Sequence, residues 1–400
     1  MNDMFRKGET FKKIGLVSLF VLSSFFAGCS SASTGSGASG SGNAVIKIAT
    51  QSPLSGPESL EGEAIKLGAQ LAVQDRTEDF KKLGFNITLF PQDDQADPKI
   101  GVSNAEMLIS DPDVLAVVGH YNTGVAVPSS VKYEEAKLAM VSPANTGVEL
   151  TEEGKKTVNR LVARNDQIAP GAAKYAKEKM GVNSVFIIHD KTAYGQGLAD
   201  EAKKAFENLG TKILGFDGVT RGEKDYSAIV NLTIANTPDL VFFGGNYPEG
   251  GLIAKQLKEK GYSGKFMGGE GLDSKDIFKI AGDAAPGIVF ATAVGDIRSS
   301  EEGEKWLERY KSTFNKDPGA FSAFAYDAAL TVLNGIEQAI KENQNQKPTR
   351  EQVMNAIRST TDFNGQFLKV SFDEKGDNKY AQVYLYQYDN TEAQFVGVAE

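Results

Sequence analysis

From Val45 onward the chain repeats one unit, a short apolar run that ends in a polar loop followed by a stretch able to form a helix. VIKIAT precedes a helical segment near 59–82, NITLF precedes one that starts at Pro98 behind the capping residue Asp97, and VLAVVG precedes another before LAMVS. A second series follows: a helix near 168–180, SVFIIHD, a helix at 196–209, KILGF, a helix near 225–236, LVFFGG, a helix at 249–260, KFMGG and a short helix near 274–281. Strands alternating with helices demand parallel pairing, because a parallel connection needs a crossover long enough to hold a helix. The apolar runs are continuous, as expected of strands covered on both faces. The reading is therefore α/β, with two doubly wound parallel-sheet lobes. After GIVFATAV, a helix around Trp306 and a long apolar segment near 320–340, the chain ends in KYAQVYLYQYD, whose alternation predicts a strand or hairpin arm.

In such sheets the loops at the carboxyl ends of the strands line the ligand crevice, and the helix after each loop directs unsatisfied N–H groups toward it. Asn122, Thr123 and Thr146 lie in two of these loops. Hydroxyls and exposed amides there suit a carboxylate, which they can bind without a buried counter-cation. The same residue types are also what helix caps use.

Four hundred residues, 41% apolar and 24% charged, allow two domains with proper cores. The formal charge of −9, with no basic run beyond the N-terminal leader, argues against nucleic acid and against an anionic membrane surface as partners. Cys29 is the single cysteine, so an internal disulfide and a cysteine zinc cluster are excluded. The two histidines, His120 and His189, are far apart in sequence and without a carboxylate ligand pattern, so neither metal nor cofactor is expected. GxSxG, P-loop and HExxH motifs are lacking, which leaves no enzymatic reading with a nucleophile or paired base.

Basic residues, an apolar segment from Ile14 to Ala27, and Gly28-Cys29 predict a secretory signal over 1–28; the apolar segment is too short to span a bilayer. FAGC resembles a lipoprotein cleavage site, with Phe26 where leucine is more usual, and implies that Cys29 is lipidated. SSASTGSGASGSG then supplies a flexible tether over 29–43.

Eight stretches in order resemble the amino-acid-binding proteins of branched-chain amino-acid ABC importers, which have the type I periplasmic-binding-protein clamshell. They are LSGP (54–57), DDQADP (93–98), VVGHYNTG with SPANTGVELT, HDKTAYGQG (189–197), FDGVTRGEKDYS (216–227), FFGGNYPE (242–249), FMGGEG (266–271) and DPGAFSAFAYDA (317–328). The resemblance implies a three-crossover hinge, with crossings near Ala163–Asn165, Thr292–Gly295 and Glu374–Asp377. Lobe 1 then comprises 44–164 and 294–375, and lobe 2 comprises 165–293 and 376–400. It also implies site roles. Thr123 gives its hydroxyl and N–H to a ligand carboxylate, with the backbone of Ala144 and Thr146; Glu270 pairs with the α-amine, helped by Ala144 C=O and Gly271; Tyr194 closes over the ligand. Phe321 is the first choice for an apolar wall and Tyr326 the second, although both could equally be core.

The sequence departs from the family pattern in three places. Glu61 stands where an aromatic often covers the ligand side chain, and Asn246 where a tyrosine is frequent, which implies a more polar pocket and a neutral or polar amino acid, in a broad range. Ala96 and Asn122 occupy the positions of a disulfide that some relatives carry, a change expected to remove a staple and no ligand contact. The resulting expectation is a monomeric, extracytoplasmic lipoprotein, in a periplasm or at a cell surface, that hands an amino acid to an ABC permease and touches the membrane through its anchor. A sensor of the same fold for urea, amides or another small solute is the alternative.

Overall fold

The computed structural model describes residues 43–293 and 295–399. The expected signal sequence over 1–28, the expected lipidation site Cys29 and the expected tether up to Gly42 lie outside the described residues. No described helix is long and apolar enough to cross a membrane.

The first sheet is built from β1 (Ala44–Ser52), β2 (Phe85–Asp93), β3 (Val114–Gly119), β4 (Ala139–Ser142) and β5 (Val158–Arg160), all parallel in the order β2-β1-β3-β4-β5. Every residue of β3, β4 and β5 is buried, which is why VLAVVG and AMVS read as unbroken apolar runs. Helices α1 (Ser59–Lys82), α2 (Pro98–Ser110), α3 (Thr123–Glu135) and the single turn α4 (Glu149–Glu152) connect these strands. Asp97 begins α2 as expected, its carboxylate accepting from the Lys99 and Ile100 N–H groups at 2.7 and 3.3 Å, with Pro98 placed where no intrahelical donor is needed.

After β5 the chain passes to a second sheet. Helix α5 (Asn165–Glu178) leads to β6 (Ser184–His189), α6 (Ala193–Asn208), β7 (Lys212–Gly218), α7 (Ser227–Asn236), β8 (Leu240–Gly244), α8 (Tyr247–Glu259), β9 (Lys265–Gly268), α9 (Ile277–Ala281) and β10 (Val289–Thr292). The chain then returns to the first lobe for α10 (Glu301–Phe314), α11 (Ser322–Glu342), α12 (Arg350–Arg358) and the small ladder of β11 (Phe363–Asn364) with β12 (Lys369–Val370). Helix α11 lies along α1 so closely that a Cβ on Gly68 would stand 2.1 Å from the Ser322 carbonyl oxygen, and α12 closes over β3 and β4. A third passage brings the chain to β13 (Tyr384–Tyr388) and β14 (Ala393–Val398), an antiparallel hairpin added beside β10. The second sheet, β14-β13-β10-β9-β8-β6-β7, is therefore parallel in its body and antiparallel at one edge.

Candidate functional site

Both sheets end their strands at one cleft, and the loops there enclose a cavity of about 220 Å³. Its lining comes from the first lobe through Ala96, Pro98, Tyr121, Asn122, Thr123, Gly124, Val125, Ala144 and Phe321, and from the second through Thr192, Ala193, Tyr194, Arg221, Asn246, Glu270 and Gly271. Seven of the residues expected at the site thus meet on one surface: Thr123, Ala144, Tyr194, Asn246, Glu270, Gly271 and Phe321.

One wall is a helix end. Thr123 opens α3, whose first donors, the Val125 and Ala126 N–H groups, already bond Asn122 O; the N–H groups of Thr123 and Gly124 lie in the first turn, where no intrahelical acceptor exists. A Cβ on Gly124 would lie 3.9 Å from Ala193 Cβ, at the start of α6, so two helix N-termini converge here and favour negative charge. Asn145 holds the two first-lobe loops together: its Oδ1 accepts from the His120 N–H at 3.0 Å and the Ser142 hydroxyl at 2.8 Å, and its Nδ2 donates to Tyr121 O at 2.8 Å. Thr192 caps α6 by accepting from the Gly195 N–H at 2.9 Å.

Glu270 opens a short 3₁₀ turn after β9. It is 4% exposed, and the Thr146 hydroxyl donates to its Oε1 at 2.8 Å from across the cleft, while Oε2 is buried and has no hydrogen-bond partner. Burial raises its pKa to about 7, against the pull of the Thr146 and Tyr194 hydroxyls and the turn's own N–H. Tyr194 OH accepts from the Gly271 N–H at 3.0 Å, which fixes the ring beside this carboxylate. Thr146 itself is buried and is not a lining residue, so its side chain serves Glu270.

The remaining walls are mixed. Tyr121 and Phe321 meet edge to face, their ring centroids 5.5 Å apart, and form the apolar side with Pro98 and Val125. Tyr326 is elsewhere: its hydroxyl donates to Asp75 at 2.6 Å and its ring stands against Trp306, so of the two aromatic candidates Phe321 is the one at the cavity. Ala96 and Asn122, expected to be silent once the staple is lost, both line the cavity. Glu61 is not in the lining. It is 1% exposed, and burial together with the negative charge of Asp273, a second-lobe residue, lifts its pKa to about 8, against the Ser274 hydroxyl.

Two contributors escape a sequence reading. Glu58 is 1% exposed and accepts from Asn122 Nδ2 at 2.6 Å on its own lobe and from Asn246 Nδ2 at 3.0 Å on the other, while the Arg221 guanidinium pairs with it across the cleft. Tyr247 OH adds a bond to Pro57 O at 2.6 Å. Arg221 and Glu58 are 163 positions apart; Arg221 lies inside the FDGVTRGEKDYS stretch and Glu58 directly follows LSGP, yet neither carries a sequence signal that it pairs with the other.

The fold and cleft define a two-lobed solute-binding protein, and comparison with known proteins agrees. The periplasmic binding protein profile matches residues 45–393, and the chain belongs to that family, one of solute-binding proteins rather than enzymes. Leu/Ile/Val-binding protein homolog 1 of Brucella abortus is 32% identical over 350 residues, 88% of this chain and 92% of that protein. The leucine-, isoleucine-, valine-, threonine- and alanine-binding protein of Pseudomonas aeruginosa is 32% identical over 344 residues, 86% of this chain and 90% of the relative. Among solved structures, a leucine-binding protein of Thermotoga maritima superposes with a TM-score of 0.81 at 28% identity, covering 89% of this chain and 99% of its own. The type I periplasmic-binding-protein clamshell expected from sequence is the fold observed.

Proposed function

We propose that this protein captures a free amino acid between its lobes and, tethered outside the cytoplasm through lipidated Cys29, delivers it to an ABC importer. One observation carries the choice of ligand: Glu270 is a buried carboxylate on the cavity wall with one oxygen on Thr146 and the other unpartnered, while two helix N-termini converge on the same cavity. An α-ammonium satisfies the first feature and an α-carboxylate the second. The names of the relatives, for leucine, isoleucine and valine and in one case also threonine and alanine, support an amino acid and a range broader than the branched-chain three. The lining supports the same breadth, because Tyr121, Val125 and Phe321 suit an aliphatic side chain whereas Asn122, Asn246 and Arg221 suit a polar one.

A thermal-shift screen against the twenty amino acids, urea and short amides tests the reading, since a ligand selective for the folded state raises apparent stability. Stabilisation by several neutral amino acids and none by urea or amides is expected; the reverse pattern makes the protein a sensor for those solutes. Cys29→Ser is expected to move the protein from the membrane fraction to the soluble one without loss of ligand binding.

A further inference from the structure

The loop after β4 carries Ala144, which lines the cavity, and Thr146, whose hydroxyl holds Glu270, and it is held from behind by one side chain. Arg160, the last residue of β5, has no exposed surface. Its Nη1 donates to Gly147 O at 2.7 Å and to Asn145 O at 3.2 Å, its Nη2 to Thr151 Oγ1 at 2.7 Å, and its Nε to Asp377 Oδ1 at 2.8 Å. Every guanidinium nitrogen is engaged, and the buried charge is paired with Asp377. Asp377 belongs to the third passage between the lobes, and that passage is bonded to Arg160 through the main chain as well: Arg160 N–H donates to Gly376 O at 2.8 Å, and Asn378 N–H donates to Arg160 O at 3.0 Å. The first passage reaches the same loop, because the Asn165 N–H donates to Thr146 O at 2.8 Å. The carbonyls of three consecutive residues are thus fixed, those of Asn145 and Gly147 by Arg160, which the third passage holds, and that of Thr146 by the first passage. Fixing those carbonyls sets the planes of the peptides between them and aims the Thr146 hydroxyl at Glu270.

We infer that Arg160, paired with Asp377, is a positioning residue for the ligand loop and sets ligand affinity through the hinge without touching the ligand. The inference rests on the proposed amino-acid site. A role confined to stability would leave the affinity of the folded protein unchanged; a positioning role lowers affinity even when every molecule is folded, because the loop loses its fixed geometry.

Arg160→Lys separates the two. Lysine keeps a positive charge beside Asp377 but lacks the planar fork that reaches Thr151 and both carbonyls at once. With leucine as the probe, calorimetry is carried out at a temperature where circular dichroism shows wild type and variant fully folded. The result expected is leucine affinity at least about tenfold weaker, together with faster amide exchange at 144–147 in the ligand-free protein. Val353→Ala, in the buried face of α12, provides the comparison, a core loss expected to lower the melting temperature and leave affinity within about twofold. Should Arg160→Lys fail to fold, Thr151→Val replaces it, since it removes one partner of Arg160 and one of Asp377, the latter a 3.0 Å bond to Oδ2; several-fold weaker leucine binding is then expected. Leucine affinity within twofold of wild type in the folded variant, with loop exchange unchanged, overturns the inference while leaving the amino-acid site standing. A wild-type protein that binds no amino acid overturns the site itself.

Discussion

Buried charge is treated in opposite ways at the hinge and in the cleft. At the hinge, Arg160 and Asp377 are surrounded by partners that belong to the same continuous framework, and Arg160 leaves no donor nitrogen idle. On the cavity wall, by contrast, Glu270 Oε2 and Asn122 Oδ1 are both buried without a hydrogen-bond partner. An unpaired buried acceptor is expensive, so a fold tolerates a group of them only where something outside the chain completes the set or where protons can be taken up. The contrast teaches where stability ends and function begins: satisfied charges hold the lobes to their hinge, and unsatisfied ones make closure depend on what enters.

The most disruptive way to break this contrast is to leave a hinge charge alone. Asp377→Ala strands the Arg160 guanidinium in a buried site and is expected to lower stability by about 3–5 kcal/mol, measured by urea unfolding. Glu270→Gln, in contrast, is expected to leave the ligand-free protein as stable as wild type or slightly more so, since it removes a buried carboxylate that lacks one partner. Equal losses in the two variants would erase the distinction.

At the mouth of the cleft the ion pair between Glu58 and Arg221 can be cut from the solvent side, because the Arg221 side chain is 29% exposed. Arg221→Ala is expected to weaken all amino acids together by about 1–2 kcal/mol, through closure rather than through contact with one ligand. The check is calorimetry of leucine, threonine and alanine at two salt concentrations; weakening of one ligand alone would make Arg221 a reader of side chains.

A smaller effect concerns protons. Burial is the first cause that raises Glu61 from 4.5 to about 8 and Asp273 from 3.8 to about 7, and with Glu61 on the first lobe and Asp273 on the second, closure is expected to supply part of it. Groups with raised acid pKa values bind protons that the open form releases, so closure is fully favoured below about pH 4 and loses ground as pH rises toward 8. Glu61→Gln is expected to flatten the pH dependence of leucine affinity between pH 5 and 8 by up to about tenfold. Parallel profiles for wild type and variant would show that Glu61 does not titrate on closure.

Much of the fold is legible in the sequence because the signals are local. Asp97-Pro98 marks the start of α2, and the continuous apolar runs mark strands buried on both faces. Helix α12 goes unread even though Thr349 and Gln352 form a capping box ahead of it, since at nine residues the segment is too short for its apolar face to show a clear helical period. Strand β5, three residues long, gives no periodicity to detect. At the site, the motif stretches indicate which loops face the cleft, whereas the pairing of Glu58 with Arg221, one of them inside such a stretch, arises only through the fold. Glu61 shows the limit from the other side: its position beside SGP marks it for the cleft, yet in the fold it is buried and does not line the cavity.

The central claim is that Glu270 recognises the amine common to every amino-acid ligand. It is tested most directly by calorimetry of two ligands that share a skeleton, leucine and its 2-keto acid, against wild type and Glu270→Gln. Leucine is expected to lose about 2–5 kcal/mol in the variant, because the ammonium would face a neutral amide in a closed, water-poor cleft. The keto acid, with no amine to place there, is expected to change by less than about twofold. Leucine affinity in Glu270→Gln within about twofold of wild type, or a loss shared equally by the keto acid, would contradict the account.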